Sequence, residues 1–393
     1  MNIITISQKL PKENGSGDQH LLYHRIKALV EEGHIVYSIF FKENTESYKN
    51  SIEKLVLLGI NLNEIDYSYF TAFINLFRHL FTKDIPLQCS IFISKNYKKK
   101  IDDIVLKYDI SFIYISFIRV LFNAKSTKAL KYLDMIDSLS LNYHRKSYKF
   151  NILLRFLFTI EEHRIRLLEK NIFKYADKVS LVSSIDKKWI DHDQIKLINL
   201  GVDTNVFYPS TQKNSKLTII FSGNISYEPN KQAVVWFLEH CWLEILALNP
   251  HAQLVLGGRI SPSDVMRFIK WKNVVVTGEV SSIAGCIMLA DIAIAPMQSG
   301  AGMQNKILEA MSCGLPVVCT PLGMGDIRAS NSVNIILAEC PLEFIRSIDS
   351  LLKNKKRRDE LGKAARKFIE NNYSWEISNM KFINEILPKK VLN

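Results

Sequence analysis

The run Ile292–Cys319 allows few folds. A short apolar stretch, Ile292 to Ala295, reads as a strand, and the loop after it carries Gly300 and Gly302. Helical spacing follows from about Met303 to Ser312, Gly314 is a stop, and Pro316 to Cys319 reads as the next strand. A helix that starts at the carboxyl end of a strand, behind a glycine loop, presents unpaired N–H groups and the positive end of its dipole. An anionic ligand suits that place. Lys306 and Glu309 share one face of this helix, while Met303, Ile307 and Ala310 can pack on another. The lysine suits a phosphate and the glutamate, one turn further in, the hydroxyls of a ribose. The same spacing also serves a solvated pair in an ordinary α/β crossover.

The pattern recurs through the second half of the chain. Leu217 to Phe221 reads as a strand with the turn Ser222-Gly223-Asn224 behind it, leading to a helix over Gln232–Leu248. Leu254 to Leu256 ends in Gly257-Gly258-Arg259, and Val274 to Val276 in Thr277-Gly278-Glu279. Strands that repeatedly end in glycine turns bearing Asn224, Arg259 or Glu279 point to one ligand lying across the carboxyl edge of a parallel sheet. Arg259 suits phosphate oxygens and equally a surface position after a tight turn. Glu279 suits a base or ribose and equally the start of a helix.

The first half opens in the same way. A strand over Asn2–Ser7 leads through a loop with Gly15, Gly17 and Asp18 into a helix over Gln19–Glu32, then a strand over Ile35–Phe41. The loop is not G-x-G-x-x-G, and its glycines suit either close approach to a substrate or the turn alone. Phe70, Phe73, Phe77 and Phe81 have helical spacing, which points to core, with an acceptor cleft or lipid as the other reading. Asp109–Phe117 and Lys131–Ile136 read as buried strands, so Asp134 and Asp137 fall near a carboxyl strand end. There an aspartate can cap a helix, and Asp137 can also take a proton from an acceptor hydroxyl. Leu141–Ala176 reads as helix with one break, and Val179–Ser183 and Ile195–Leu200 as strands. The polar run Tyr208–Lys216 suits an interdomain linker. The division expected is 1–205, 206–372 and a closing helix over 373–393, N-capped by Ser374, that can pack back on the first domain.

With 393 residues the chain exceeds what one core usually serves, so two domains are expected. A net charge of +12 favours an anionic partner. No zinc-finger, RNA-recognition or helix-turn-helix signature is present, so a nucleic-acid partner is not expected. Basic clusters at Lys95, Lys98, Lys99 and Lys100 and at His144, Arg145, Lys146 and Lys149 are interleaved with Tyr or Phe. They suit a lipid headgroup layer as well as solvated helix faces. Six cysteines without metal-ligand spacing read as reduced thiols in a cytoplasmic protein. The start Met-Asn-Ile-Ile-Thr-Ile-Ser reads as a strand and not a leader, and no apolar run reaches membrane-spanning length.

The second half resembles the retaining glycosyltransferases of the family 4 type, most closely the branch that builds bacterial surface or exported polysaccharides. The resemblance is carried by Ile198-Asn199-Leu200-Gly201-Val202-Asp203 with Phe207 and Pro209, and by Phe221-Ser222-Gly223-Asn224 through Asn230 with Trp236-Phe237. Thr277-Gly278-Glu279-Val280, Ala295-Pro296 and the Gly300–Val318 stretch continue it. It implies an α/β GT-B fold, two Rossmann-like domains facing across a cleft, with a nucleotide-sugar donor on the second and an acceptor on the first. The later Glu of that family's Glu-x7-Glu motif falls at Glu309, and the earlier one is replaced by Ala301. In relatives with Gly-x-Gly there, as at Gly300 and Gly302, backbone N–H groups take over donor contacts. Asn224 stands where the family has an Arg, and Lys231 lies near its Lys, which leaves Lys306 and Arg259 to neutralise phosphate.

The expected donor set is therefore Gly17, Gly223, Asn224, Arg259, Glu279, Gly300, Gly302, Met303, Gln304, Lys306 and Glu309, with Asp137 and Lys306 as the catalytic residues. No Asp-x-Asp lies beside the glycine turns, so transfer without a metal or other cofactor is expected. The expected partners are a nucleotide sugar, a glycan or lipid-linked acceptor and an anionic membrane surface, the protein being cytoplasmic and peripheral to the inner face of the membrane. Two other readings are an inactive binding or scaffold subunit of this fold and an enzyme such as an epimerase that uses the same donor site.

Overall fold

The computed structural model describes every residue except 14, 44–45, 83–84, 126, 148–151, 213, 281, 301–302 and 387–393. It divides into two compact units, one of Met1–Leu200 with Asn379–Asn393 and one of Gly201–Ser378.

In the first unit seven parallel strands run β1 (Asn2–Ile6), β2 (Ile35–Phe41), β3 (Asn61–Ile65), β4 (Ile110–Ser116), β5 (Leu130–Asp134), β6 (Lys178–Leu181) and β7 (Lys196–Leu197). Their order in the sheet is β3-β2-β1-β4-β5-β6-β7. The helices are α1 (Gly17–Glu31), α2 (Glu46–Leu57), α3 (Tyr69–Leu80), α4 (Leu87–Ser90), α5 (Lys95–Lys107), α6 (Leu139–Ser147), α7 (Ile152–Lys170) and α8 (Ser184–Ile190). Central strands covered on both faces must be apolar throughout, and Ile3, Ile4, Ile6, Ile113, Tyr114 and Ile115 are all buried. Ile4, Ile6, Ile113 and Ile115 pack on one face, and Ile3, Phe112 and Tyr114 on the other.

The second unit has β8 (Thr218–Ser222), β9 (Gln253–Gly257), β10 (Val274–Gly278), β11 (Ile292–Ala295), β12 (Val317–Cys319) and β13 (Ile336–Leu337), in the order β10-β9-β8-β11-β12-β13. Its helices are α9 (Glu228–Phe237), α10 (Leu243–Leu248), α11 (Pro262–Phe268), α12 (Ile283–Met288), α13 (Asn305–Ser312), α14 (Pro321–Met324), α15 (Pro341–Lys353) and α16 (Lys355–Asn372). A last helix, α17 (Trp375–Ile386), starts in the second unit and passes to the first at Asn379. The Ser374 hydroxyl accepts from the Ile377 N–H at 3.3 Å at its start. Both sheets reverse strand order beside their first strand, and in open α/β sheets that switch point opens a crevice at the carboxyl ends.

Several expectations are corrected. The division falls after Leu200 because residues 201–207 are tied to the second unit. Val202 N–H donates to Tyr373 O at 2.8 Å, and Arg366 Nη1 and Ser312 Oγ each donate to Phe207 O at 2.6 Å. Residues 208–216 therefore lie inside that unit. Helix α9 begins at Glu228 and not at Gln232, with Pro229 in its first turn, where no N–H is required. A π turn over Leu238–Trp242 separates it from α10. Helix α13 begins at Asn305, with Gln304 as its N-cap.

The aromatic stripe of α3 is not core. The buried positions of that helix are Ala72 and Asn75, whose amide donates to Ile93 O at 2.8 Å, so the small face packs inward and the rings face out. Asp134 is buried beside Arg25, with Oδ2 at 3.8 Å from Nε and accepting from Tyr114 Oη at 2.9 Å. Arg25 in turn donates to Asn379 Oδ1 at 2.8 Å. Asp134, Arg25 and Asn379 thus form one chain of polar contacts within the first unit. All six cysteines are free.

Candidate functional site

In the second unit the switch point lies between β8 and β11, and most of the expected donor residues meet there. Gly223 follows β8 at φ +132°, and a Cβ on it would stand 3.4 Å from Lys306 Cε. Gly258 follows β9 at φ +117°, where a Cβ would stand 2.3 Å from Gly223 O. The two turns thus touch through backbone that only glycine allows. Gly300, at φ +101°, approaches Pro229 in the first turn of α9. Ser299 Oγ donates to Gln232 Oε1 at 2.6 Å, which fixes the same loop on α9.

Helix α13 brings Lys306 to this point. Its Nζ donates to Asn230 Oδ1 at 2.6 Å and to Gln304 Oε1 at 3.1 Å, and lies 5.1 Å from the centre of the Phe221 ring. Asn230 is held in turn, its amide donating to Asn224 O at 2.8 Å. Burial lowers the Lys306 ammonium to about 8, against the opposing pull of Glu309. Glu309, half-buried one turn on, is pushed up to about 7 by burial, with Lys306 opposing. Among the described residues its carboxylate has no hydrogen-bond partner. The half-buried Lys306 ammonium, a helix start with no side-chain cap from Gln304, and glycine turns on both sides form a cradle for an anion, with the Glu309 carboxyl one turn beyond it. Met303 contributes its side chain to the core beneath.

The remaining expected residues are placed otherwise. Arg259 and Glu279 pair with each other, Nη2 to Oε1 at 3.1 Å, both largely exposed at the ends of β9 and β10. Lys231 is committed to Asp264 at 2.6 Å. Asn224 is exposed and serves through its carbonyl. Gly17 opens α1 in the first unit, and a Cβ there would meet nothing within 4 Å. The position in that loop that excludes a side chain is Gly15, where a Cβ would stand 2.7 Å from Gln19 Cβ. Ala301, Gly302 and Lys149 lie outside the described residues.

The carboxyl edge of the first unit has its own features. Ile136, at φ +66°, carries the chain from β5 to Asp137, an unfavourable conformation for a β-branched residue. Asp137 Oδ2 accepts from Asn142 Nδ2 at 2.9 Å, while Oδ1 is buried without a partner. Burial raises this carboxyl to about 6, with Asn142 opposing. Phe117, at the end of β4, has φ +74°, and Arg119 beyond it donates to Gln8 Oε1 at 3.3 Å. Gln8, Lys9, Lys42, Glu43, Asp66 and Tyr69 are among the residues lining a cavity of about 570 Å³ at the ends of β1, β2 and β3. Sequence reading gave no role to Asn230, which it met only inside the resembling stretch, or to Arg119. Neither stands in a periodic pattern, and Arg119 interrupts an apolar run that otherwise marks only a buried strand. Among the described residues no group of three or more His, Cys, Asp or Glu is placed to hold a metal ion.

Residues 216–354 match the family model described as Glycosyl transferases group 1. That segment holds β8–β13 and every residue of the expected donor set except Gly17. Over 223 residues the chain is 24% identical to an uncharacterized 44.6 kDa protein in the cps region of Klebsiella pneumoniae, covering 51% of this chain and 56% of that one. It is 26% identical over 245 residues to a probable sucrose-phosphate synthase of Thermosipho melanesiensis, covering 57% of each. The chain spans little more than half the length of these curated relatives. Its fold superposes on Anabaena HepE in complex with UDP-glucose with a TM-score of 0.68 at 14% identity, over 98% of this chain and 99% of that one. The architecture is GT-B, two Rossmann-like units each with a parallel sheet.

Proposed function

We propose that the protein is a retaining glycosyltransferase of the family 4 type, moving a sugar from a nucleoside-diphosphate donor on the second unit to a glycan or lipid-linked acceptor on the first. The observation that carries this reading is the convergence of Lys306, Asn230, Gly223 and Glu309 at the β8/β11 switch point. Lys306 and the N–H groups at the start of α13 hold the diphosphate, and Glu309 accepts from the ribose hydroxyls. As the bond from the anomeric carbon to the phosphate oxygen breaks, the electron pair goes to the diphosphate, where fixed positive charge lowers the barrier. The acceptor oxygen bonds to the anomeric carbon on the face the nucleotide leaves. Its proton passes to the departing phosphate oxygen, with Asp137 orienting the hydroxyl. In this reading the transfer uses no resident cofactor or metal, the positive charge coming from Lys306 and the start of α13.

The family match over residues 216–354 and the UDP-glucose in the HepE complex support the donor class. We place the transfer in polysaccharide assembly, a reading to which the relative from a Klebsiella cps region lends support. The test is calorimetric titration with a panel of nucleoside diphosphates and their sugars, with and without chelator, followed by product detection with lipid-linked and free glycan acceptors. One nucleotide sugar bound in the presence of chelator, with binding lost in Glu309→Ala, supports the reading. Binding without turnover on any acceptor favours an inactive binding subunit, and no binding across the panel overturns the donor site.

A further inference from the structure

Around Asp137 the chain is held in a conformation that it would not keep by itself. Ile136 at φ +66° is unfavourable for a β-branched side chain, and the next residue, Asp137, has a buried Oδ1 without a partner. Left free, this stretch would relax and turn its carboxyl to water. Strain of this kind persists only where neighbouring groups over-determine it. The backbone supplies two restraints: Val182 N–H donates to Ile136 O at 3.0 Å, and Asp137 N–H donates to Met135 O at 2.7 Å.

The other restraints come from two buried carboxylates on different helices, and both meet at Ser138. Asp186 of α8 accepts from the Ser138 N–H at 2.9 Å. Glu169 of α7, wholly buried, accepts from Ser138 Oγ at 3.0 Å through Oε2, from Ser140 N–H at 3.2 Å through Oε1, and also from Ser140 Oγ. Trp189 Nε1 donates to the same Ser140 Oγ at 2.8 Å, which fixes that serine from α8 as well. Helix α6 does not need the glutamate in order to start. Ser138 Oγ accepts from Leu141 N–H at 3.1 Å, the local cap that a serine ordinarily supplies. Burying a carboxylate is costly, and burial pushes Glu169 up to about 7 with its serine bonds opposing. We propose that Glu169 is a positioning residue, which through Ser138 and Ser140 locks the start of α6 and so keeps the strained Ile136-Asp137 segment and its carboxyl in place. Its effect on transfer rests on the acceptor role proposed for Asp137, whereas the restraint on Asp137 does not.

The test reads the Asp137 carboxyl directly, in the full chain with carbon-13-labelled aspartate, its NMR signal assigned by its loss in Asp137→Asn. Burial is the main reason that this carboxyl is raised to about 6; Asp186 and Asp18 add to the rise, and Asn142 and Arg119 oppose it. In Glu169→Ala the segment loosens and water reaches the carboxyl, so its titration is expected to fall toward the ordinary value of about 3.9. Glu169→Gln is expected to keep most of the wild-type titration, because its amide still reaches both serine hydroxyls. With donor and acceptor supplied, Glu169→Ala is expected to lower kcat/KM for the acceptor about tenfold with nucleotide affinity unchanged, and to lower it no further in an Asp137→Asn background. Ser140→Ala gives the same reading in smaller measure should Glu169→Ala impair folding. An Asp137 titration unchanged in both variants, or the full tenfold loss repeated in the Asp137→Asn background, would overturn the proposal. Absence of transfer by the wild-type chain would overturn the transferase reading and leave the titration to decide whether Glu169 holds Asp137.

Discussion

The Lys306 ammonium reaches Asn230 across the switch point, Nζ to Oδ1 at 2.6 Å, so that the first turns of α9 and α13 hold one half-buried positive charge between them. Burial lowers that ammonium to about 8, and in the proposed donor complex a diphosphate beside it would raise it again and fix the proton. Lys306→Met is expected to lower turnover about a hundredfold or more, because the charge acts mainly as the leaving group develops its own. Asn230→Ala leaves the charge and loosens its position, so a loss of about tenfold is expected. Single-turnover rates at saturating donor separate the two. Equal rates in Lys306→Met and wild type would remove Lys306 from the chemistry.

Glu309 predicts a pH dependence. Its carboxyl is pushed up to about 7 because burial disfavours the charge, and in the proposed donor complex only the fully ionised form accepts from both ribose hydroxyls with both oxygens. Nucleotide affinity should therefore rise as pH passes upward through about 7, and Glu309→Gln should bind more weakly with a flat profile. Folding stability takes the opposite sign. A carboxyl raised in the folded state contributes stability that is complete below its unfolded value and is lost as pH rises through about 7. Glu309→Gln should thus melt higher than wild type at about pH 8. Calorimetry and thermal melts across that range check both signs.

Much of this site was legible because chemistry and local structure coincide in it. Gly223, Gly258, Gly300 and Gly314 all have positive φ, a requirement that a glycine after a strand or helix announces in the sequence. Lys306 and Glu309 were found because helical spacing puts them on one face. The pairing of Arg259 with Glu279 was not legible, since β9 and β10 become neighbours only through the sheet order. The α3 stripe misled for a related reason. Periodicity shows that the rings share a face, and only the packing of Ala72 and Asn75 decides which face is inside. The boundary at Leu200 depends on hydrogen bonds from residues 202 and 207 to partners more than a hundred residues away, which composition does not record.

Asp137 gives a prediction confined to the first unit. Its carboxyl is raised to about 6, chiefly by burial, and Oδ1 has no partner in a backbone that turns through Ile136 at φ +66°. Asp137→Asn should lower turnover by about ten- to a hundredfold with donor affinity unchanged, as expected of a group that orients an acceptor hydroxyl. The wild-type rate should fall as pH drops below about 6, and the variant should lose that limb. A pH profile of kcat/KM for the acceptor, set beside nucleotide binding by calorimetry, reads both. Loss of nucleotide binding in the variant would place the defect elsewhere.

Gly258 supplies a prediction for stability. A methyl group there would stand 2.3 Å from Gly223 O and 3.0 Å from Gly223 C, both backbone atoms held by the Gly223 N–H to Gly257 O bond of 2.9 Å. Backbone cannot swing aside as a side-chain tip does, and φ +117° is itself strained for any L side chain. Gly258→Ala should therefore cost about 2–4 kcal/mol from strain and forced separation of the two turns. At Gly278, which also has positive φ, a Cβ meets nothing within 4 Å, so alanine there carries the dihedral cost alone, about 1 kcal/mol. Denaturant melts of the two variants should differ by the steric part. Nucleotide affinity should fall only in Gly258→Ala, because only there does the displaced backbone, through Gly223, lie against Lys306.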